Sequence, residues 1–334
     1  MHLLELEPLP GLADTVAAEV ARVFADRARE VEVAESAVRI ELRGDPRDVL
    51  DLRTAVAAYL VCSYAVPRPK ALLGDQHLRS LLAQLEDARA VSSFTSFRFG
   101  AAGRESAVFA RLASAVAGAT GLAHDPDGGE LLLRVRPATD GWEVLARLSP
   151  RPLSARAWRV RDVPGALNAT IAAAMVEWSE PSPDDRVLNA MSGSATLLIE
   201  RAARTRSSAL VGVDLDAAIL GDARANLAAA GTAASLVRAD TAHLPFPDAA
   251  FDVVLADPPY GHRMGSHAGN ESLYAALLSE CARVTTPAAR LVLVTHELKR
   301  FESVLRHGTA WEVAATHQVF QKGHHPKVWV LQKA

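Results

Sequence analysis

The 334-residue chain is 49% hydrophobic with a formal net charge of -3: apolar material for two or three domains, and no overall positive charge to announce a nucleic-acid binder. No apolar stretch approaches the roughly 20 residues a bilayer requires, and Met1-His-Leu-Leu-Glu-Leu-Glu carries no basic region ahead of an apolar run, so a cytoplasmic protein is expected. Two distant cysteines, Cys62 and Cys281, and eleven histidines including the adjacent His324-His325 support neither a disulfide framework nor a zinc site, and no metal is expected.

In chain order, residues 1–70 read as a short strand around Leu4 and Leu6, a helix from about Leu12 to Phe24, strands near 30–35 and 37–42, a second helix from about Pro46, and a strand from Tyr59 to Val66. That βαββαβ order suits a small ferredoxin-like domain, with a boundary at Pro67-Arg-Pro69. Residues 71–160 read as a second α+β unit: helices at His77–Ala88 and Glu105–Ala117, and strands at Phe94–Phe99, Leu131–Val135 and Trp142–Leu148. Between 134 and 161 lie Arg134, Arg136, Arg147, Arg151, Arg156, Arg159 and Arg161 against only Asp140 and Glu143. Arginine without lysine suits bidentate phosphate contacts, although a solvated strand face would look the same.

From residue 161 to 334 the rhythm becomes short buried strands alternating with helices, the mark of a parallel sheet covered on both faces. Strands are expected at Val187–Asn189, Ala209–Asp214, Leu236–Asp240, Phe251–Asp257 and Arg290–Thr295, and a closing antiparallel hairpin at Glu312–Phe320 and Lys327–Leu331. In such a sheet ligands bind beyond the carboxyl ends of the strands. The first strand ends in Asn189-Ala-Met-Ser192-Gly193-Ser194-Ala-Thr196, small residues that let backbone approach a ligand and offer it a helix N-terminus, or an ordinary helix cap. Asp214 at the end of the second strand can accept from ribose hydroxyls, whereas Asp216 reads as a helix cap. Asp240 can accept from an adenine amine, or simply form a turn.

The fourth strand leads into Ala256-Asp257-Pro258-Pro259-Tyr260-Gly261. An exocyclic amine is a poor nucleophile because its lone pair is delocalised into the ring, so methylating it requires acceptors for its protons. Asp257 and the Pro258 carbonyl supply two, the prolines fix the loop, and Tyr260 can stack on the base. A rigid turn alone would not explain candidate ligands on the other three strand ends.

These residues resemble the THUMP-domain RNA methyltransferases, in particular those that form N2-methylguanosine in tRNA. The similarity includes Ser96-Phe-Arg98-Phe99, Leu131-Leu-Leu-Arg134-Val-Arg136, Trp142-Glu-Val-Leu-Ala-Arg147, Pro152-Leu-Ser-Ala-Arg156-Ala-Trp-Arg159, the segment Val163-Pro-Gly-Ala-Leu-Asn-Ala-Thr170, the catalytic loop from Asp257 to Gly265, and the tail from Phe320 to Trp329. The resemblance implies an α/β fold: a doubly wound, Rossmann-like methyltransferase sheet that uses S-adenosylmethionine (SAM), preceded by ferredoxin-like and THUMP domains. It implies an enzyme acting on tRNA in the acceptor-stem region; a monomer is expected. Asn189, Ser192, Gly193, Ser194, Thr196, Asp214, Asp240 and Asp257 would then hold the cofactor, and Arg98, Arg134, Arg136, Arg151, Arg156 and Arg159 the RNA.

The chain departs from the family's usual Asp-Pro-x-Cys-Gly-Ser-Gly-Thr by Asn189-Ala190, Ser192 and Ala195. The lost charge and added methyl group would weaken cofactor binding. Two alternatives accompany the main reading: an amino-methyltransferase on ribosomal RNA or DNA, since Asp-Pro-Pro-Tyr serves adenine and cytosine amines as well, and, from the altered first loop, an RNA-binding protein with an inactive methyltransferase domain.

Overall fold

The computed structural model describes residues 1–259, 267–320 and 323–334, and the chain separates into two units, Met1–Ser154 and Ala155–Ala334. In the first, β1 (His2–Pro8), α1 (Ala13–Phe24), β2 (Ala28–Ala34), β3 (Ala37–Leu42) and β4 (Ala55–Tyr64) are followed by α2 (Asp75–Val91), β5 (Ser96–Gly100), α3 (Ala107–Thr120), β6 (Ala123–His124), β7 (Leu131–Ala138) and β8 (Gly141–Arg147). All eight strands form one sheet, ordered β2-β3-β1-β4-β8-β7-β5-β6. The expected boundary at Pro67-Arg-Pro69 thus falls between segments of a shared sheet, where β4 pairs antiparallel with β8 from Tyr59↔Arg147 to Tyr64↔Trp142. One apolar cluster, including Leu4, Phe24, Leu60, Leu85, Phe97 and Leu133, underlies it.

The helix expected from Pro46 is instead a six-residue 3-10 segment, Pro46–Asp51. Asp45 caps it by accepting from the Arg47 N–H at 2.9 Å, the start signal the sequence displays. Continuation is prevented from outside, because the buried Glu19 carboxylate accepts from the Arg53 and Thr54 N–H groups at 3.0 and 2.8 Å. Those donors are held in an extended segment that feeds β4.

The second unit contains α4 (Ala169–Trp178), β9 (Arg186–Ala190), α5 (Thr196–Arg204), β10 (Ala209–Asp214), α6 (Ala217–Ala229), β11 (Ser235–Arg238), β12 (Phe251–Ala256), α7 (His267–Val284), β13 (Thr285–Thr295), α8 (Leu298–His307), β14 (Trp311–Gln318) and β15 (Lys327–Lys333). Its seven-stranded sheet runs β11-β10-β9-β12-β13-β15-β14. The five strands β9 to β13 are parallel, and β15 pairs antiparallel with both β13 and β14. This is the doubly wound sheet with a closing hairpin that the alternation implied. The central strands are apolar on both faces, with Val187, Leu188, Val253, Val254, Leu255, Leu291, Val292 and Leu293 all fully buried, as helices on both sides require. Strand order reverses beside β9, which has β10 on one side and β12 on the other, and this places the ligand crevice at their carboxyl ends.

Candidate active site

Three of the five residues leaving β9 have positive φ: Met191 at 58°, Gly193 at 51° and Ala195 at 64°. The loop turns tightly between β9 and α5, held on every side by backbone contacts. Ser192 N–H donates to the Val213 carbonyl at 2.7 Å, and Gly193 N–H donates to Asp214 Oδ2 at 2.9 Å. Asp214 also accepts from the Asp216 N–H through its other oxygen at 3.1 Å, so one carboxylate joins the first two strand ends. The Ala195 methyl, expected beside a ligand, is buried in an apolar cluster with Trp158, Ala169 and Leu198.

Among the described residues, two polar atoms at this loop are buried without a partner: Asn189 Oδ1 and Ser192 Oγ. The Asn189 amide nitrogen donates to the Leu255 carbonyl of β12 at 3.0 Å, which turns its oxygen into the acceptor that is left over. A buried unpaired acceptor and hydroxyl are costly unless a ligand completes them, so the departure from the family's aspartate keeps an acceptor in place while removing its charge.

Asp216 caps α6, accepting from the Ala218 and Ile219 N–H groups. Asp240 is exposed beyond the end of β11 and accepts from the Ala242 N–H at 2.9 Å, a turn with its second oxygen still open. Asp257 follows β12 directly. It is half-buried, Pro258 is buried, and burial alone raises the Asp257 carboxyl to about 7. Tyr260 lies outside the described residues.

Two residues that build this site carry no catalytic signature. Asn226, fully buried, donates to the Ser194 carbonyl at 3.2 Å and the Arg161 carbonyl at 3.1 Å and accepts from the Arg161 N–H, clamping the loop from behind. Gly212 sits in β10 under the loop, where an added Cβ would lie 2.7 Å from Leu236, 2.9 Å from Leu198 and 3.1 Å from Ser192. A glycine inside a strand is itself a signal of close approach.

The arginine-rich segment does not form one free cationic face. In the first unit Arg136 pairs with Glu5 at 2.5 Å and Glu143 at 3.1 Å, and Arg134 pairs with Glu7 at 2.9 Å and lies over the Tyr59 ring. Arg147 donates to the Glu130, Ser149 and Pro150 carbonyls, and Arg98 to the Asp127 carbonyl at 3.0 Å. In the second unit Arg156 pairs with Glu200, both buried. Arg159 donates to the Leu167 carbonyl and to Thr196 Oγ1 at 3.1 Å, which itself contacts Ser194 Oγ at 2.9 Å; it braces the first loop. Arg151 is exposed.

The model of UPF0020, the RMKL-like methyltransferase domain, matches residues 156–327. The chain belongs to this family. The match covers almost the whole second unit. The full chain is 29% identical over 337 residues to the tRNA (guanine(6)-N2)-methyltransferase of Thermus thermophilus, with 99% of both proteins covered. It is 30% identical over 185 residues to the human tRNA (guanine(6)-N(2))-methyltransferase THUMP3, covering 50% of this chain and 36% of that longer one. The crystal structure of TrmN from Thermus thermophilus superposes with a TM-score of 0.80 at 27% identity over the whole of both chains.

Proposed function

We propose that the protein is a cytoplasmic SAM-dependent methyltransferase that converts a tRNA guanosine to N2-methylguanosine, at position 6 of the acceptor stem as in the relatives named for that nucleotide. The observation that carries the reading is the proline-stiffened turn Asp257-Pro258-Pro259 at the end of β12, one strand away from a loop that leaves Asn189 Oδ1 and Ser192 Oγ unsatisfied. In this arrangement Asn189, Ser192, Gly193, Ser194 and Thr196 hold the cofactor's amino-acid part, Asp214 its ribose and Asp240 its adenine. The orphaned polar atoms fit such a group. When bound, the cofactor supplies an electrophilic methyl group.

The chain's own contribution is to orient the amine. The Asp257 carboxylate and the Pro258 carbonyl accept its two protons, which leaves the nitrogen lone pair aimed away from the ring plane. Methylation requires the amine to give up one proton, and Asp257 would take it. Tyr260 is proposed as the ring on which the guanine stacks. Single-turnover reaction of unmodified tRNA with labelled SAM should yield N2-methylguanosine at position 6. Absence of transfer to any tRNA, or label at another base, would defeat the assignment.

Because Asp257 must be ionised to accept a proton and titrates at about 7, kcat/KM should rise about tenfold per pH unit below 7 and level off above it. A profile already flat at pH 6 would remove Asp257 from the proton-accepting role. RNA contact is proposed through Arg151 together with Arg98, Arg134 and Arg136, whose guanidinium groups remain partly accessible. Arg151→Ala should weaken tRNA binding a fewfold and lower the slope of log K against log salt by about 1; an unchanged slope would place the phosphate contact elsewhere.

A further inference from the structure

The methionine end of SAM carries an ammonium and a carboxylate, so a pocket can grip it by either charge. Asn189 bears on which one this chain uses. With its amide nitrogen spent on the Leu255 carbonyl at 3.0 Å, the oxygen left buried and unpartnered is an acceptor fit for an ammonium N–H. It offers no charge, whereas an aspartate in its place would offer a full one. A hydrogen bond to a neutral acceptor is weaker than one to an ionised acceptor, which makes the ammonium the poorer handle.

The carboxylate is better served. Arg159 Nη2 donates to the Leu167 carbonyl at 2.9 Å and to Thr196 Oγ1 at 3.1 Å, and Thr196 Oγ1 contacts Ser194 Oγ at 2.9 Å. A continuous hydrogen-bonded chain thus joins the arginine to the loop after β9. Leu167 immediately precedes Asn168, the N-cap of α4, and Thr196 is the first residue of α5, whose N-cap Ala195 brings no side-chain acceptor. One guanidinium therefore stands where two helices begin. Helix N-termini carry partial positive charge and unpaired N–H groups, so a cation placed there is unfavourable unless an anion joins it. Arg159 is half-buried, and both of these acceptors are uncharged. Burial lowers its pKa, ahead of the opposing pulls of Asp162 and Glu200, and Glu200 is paired with Arg156. The guanidinium stays charged, and an anionic ligand stabilises a half-buried cation more than neutral acceptors do.

We propose that the chain anchors the cofactor chiefly by its carboxylate, held by Arg159 and the first-turn N–H groups of α5, while Asn189 Oδ1 takes the ammonium as a neutral acceptor. This rests on the SAM-dependent reading above. Arg159, expected from the sequence to contact RNA, then serves the cofactor instead.

The test measures binding by calorimetry, with the full chain, S-adenosylhomocysteine and two adenosine thioethers: an aminopropyl one that lacks only the carboxylate, and a carboxypropyl one that lacks only the amine. Relative to S-adenosylhomocysteine, the wild type should bind the first more than about tenfold more weakly and the second only a fewfold more weakly, as a charge-assisted contact compares with a neutral one. Arg159→Met should bring the two losses within about threefold of each other. Arg159→Lys should keep part of the difference, and Asn189→Asp should enlarge the loss caused by removing the amine. Comparing ligands within each variant cancels general damage to the fold. If the wild type loses as much without the amine as without the carboxylate, or if the difference is unchanged in Arg159→Met, the proposal is overturned and SAM dependence stands. No saturable binding of S-adenosylhomocysteine by the wild type overturns the SAM reading and the proposal with it.

Discussion

Asp257→Ala is expected to lower the single-turnover methylation rate by about 10²–10⁴, the range for loss of a positioned proton acceptor, with tRNA affinity nearly unchanged. The carboxylate meets the substrate only at the reacting amine, so its removal costs transition-state rather than ground-state interaction, and kcat and kcat/KM should fall together. Asp257→Asn separates geometry from charge: the amide oxygen can still accept one amine proton but cannot take it. The same substitution has a stability signature whose sign follows from the raised pKa. A carboxyl held at about 7 in the folded protein, against its ordinary value near 4 when unfolded, binds protons more readily folded. Its stabilising share is therefore complete below about pH 4 and is lost as pH climbs through 7. Unliganded Asp257→Asn should accordingly gain thermal stability relative to wild type at pH 8 and show no such gain at pH 4. Equal melting shifts at both pH values would mean that the carboxyl is not desolvated.

The catalytic end of the molecule was the more legible. Buried parallel strands announce themselves as apolar runs such as Phe251-Asp-Val-Val-Leu255, and the ligand crevice follows from topology, so Asn189, Asp214 and Asp257 could be placed from spacing alone. Asn226 and Gly212 were missed because their work is to hold a loop, which leaves no chemical motif; the glycine inside an otherwise apolar strand was the one available clue. The arginines were the harder case for a definite reason. A run of like charge in sequence says nothing of what faces it in space, and the partners of Arg136 and Arg134 are Glu5 and Glu7, 131 and 127 residues away, delivered by β1 of the same sheet. The 3-10 segment after Pro46 failed similarly: local signals started a helix, and the distant Glu19 ended it.

The same principle decides Arg156, which lies within the arginine run but inside the protein. Its side chain is 7% exposed and that of Glu200 is 0% exposed, with Nε–Oε1 at 3.0 Å. Glu200 belongs to α5, the helix that follows the loop proposed to hold the cofactor. Arg156→Ala should leave this carboxylate buried and short of its cationic partner, a loss of about 3–5 kcal/mol in typical cases, read as a drop in denaturation midpoint. The double variant Arg156→Met with Glu200→Leu removes the charge together with its need for a partner and should recover much of that stability, since an apolar pair of similar volume avoids the desolvation cost. Cofactor affinity should follow stability through α5, while the salt slope of tRNA binding stays at the wild-type value because Arg156 offers no free charge to a phosphate. A lowered salt slope with an unchanged denaturation midpoint would instead make Arg156 a phosphate contact and break the assignment of Glu200 as its fixed partner.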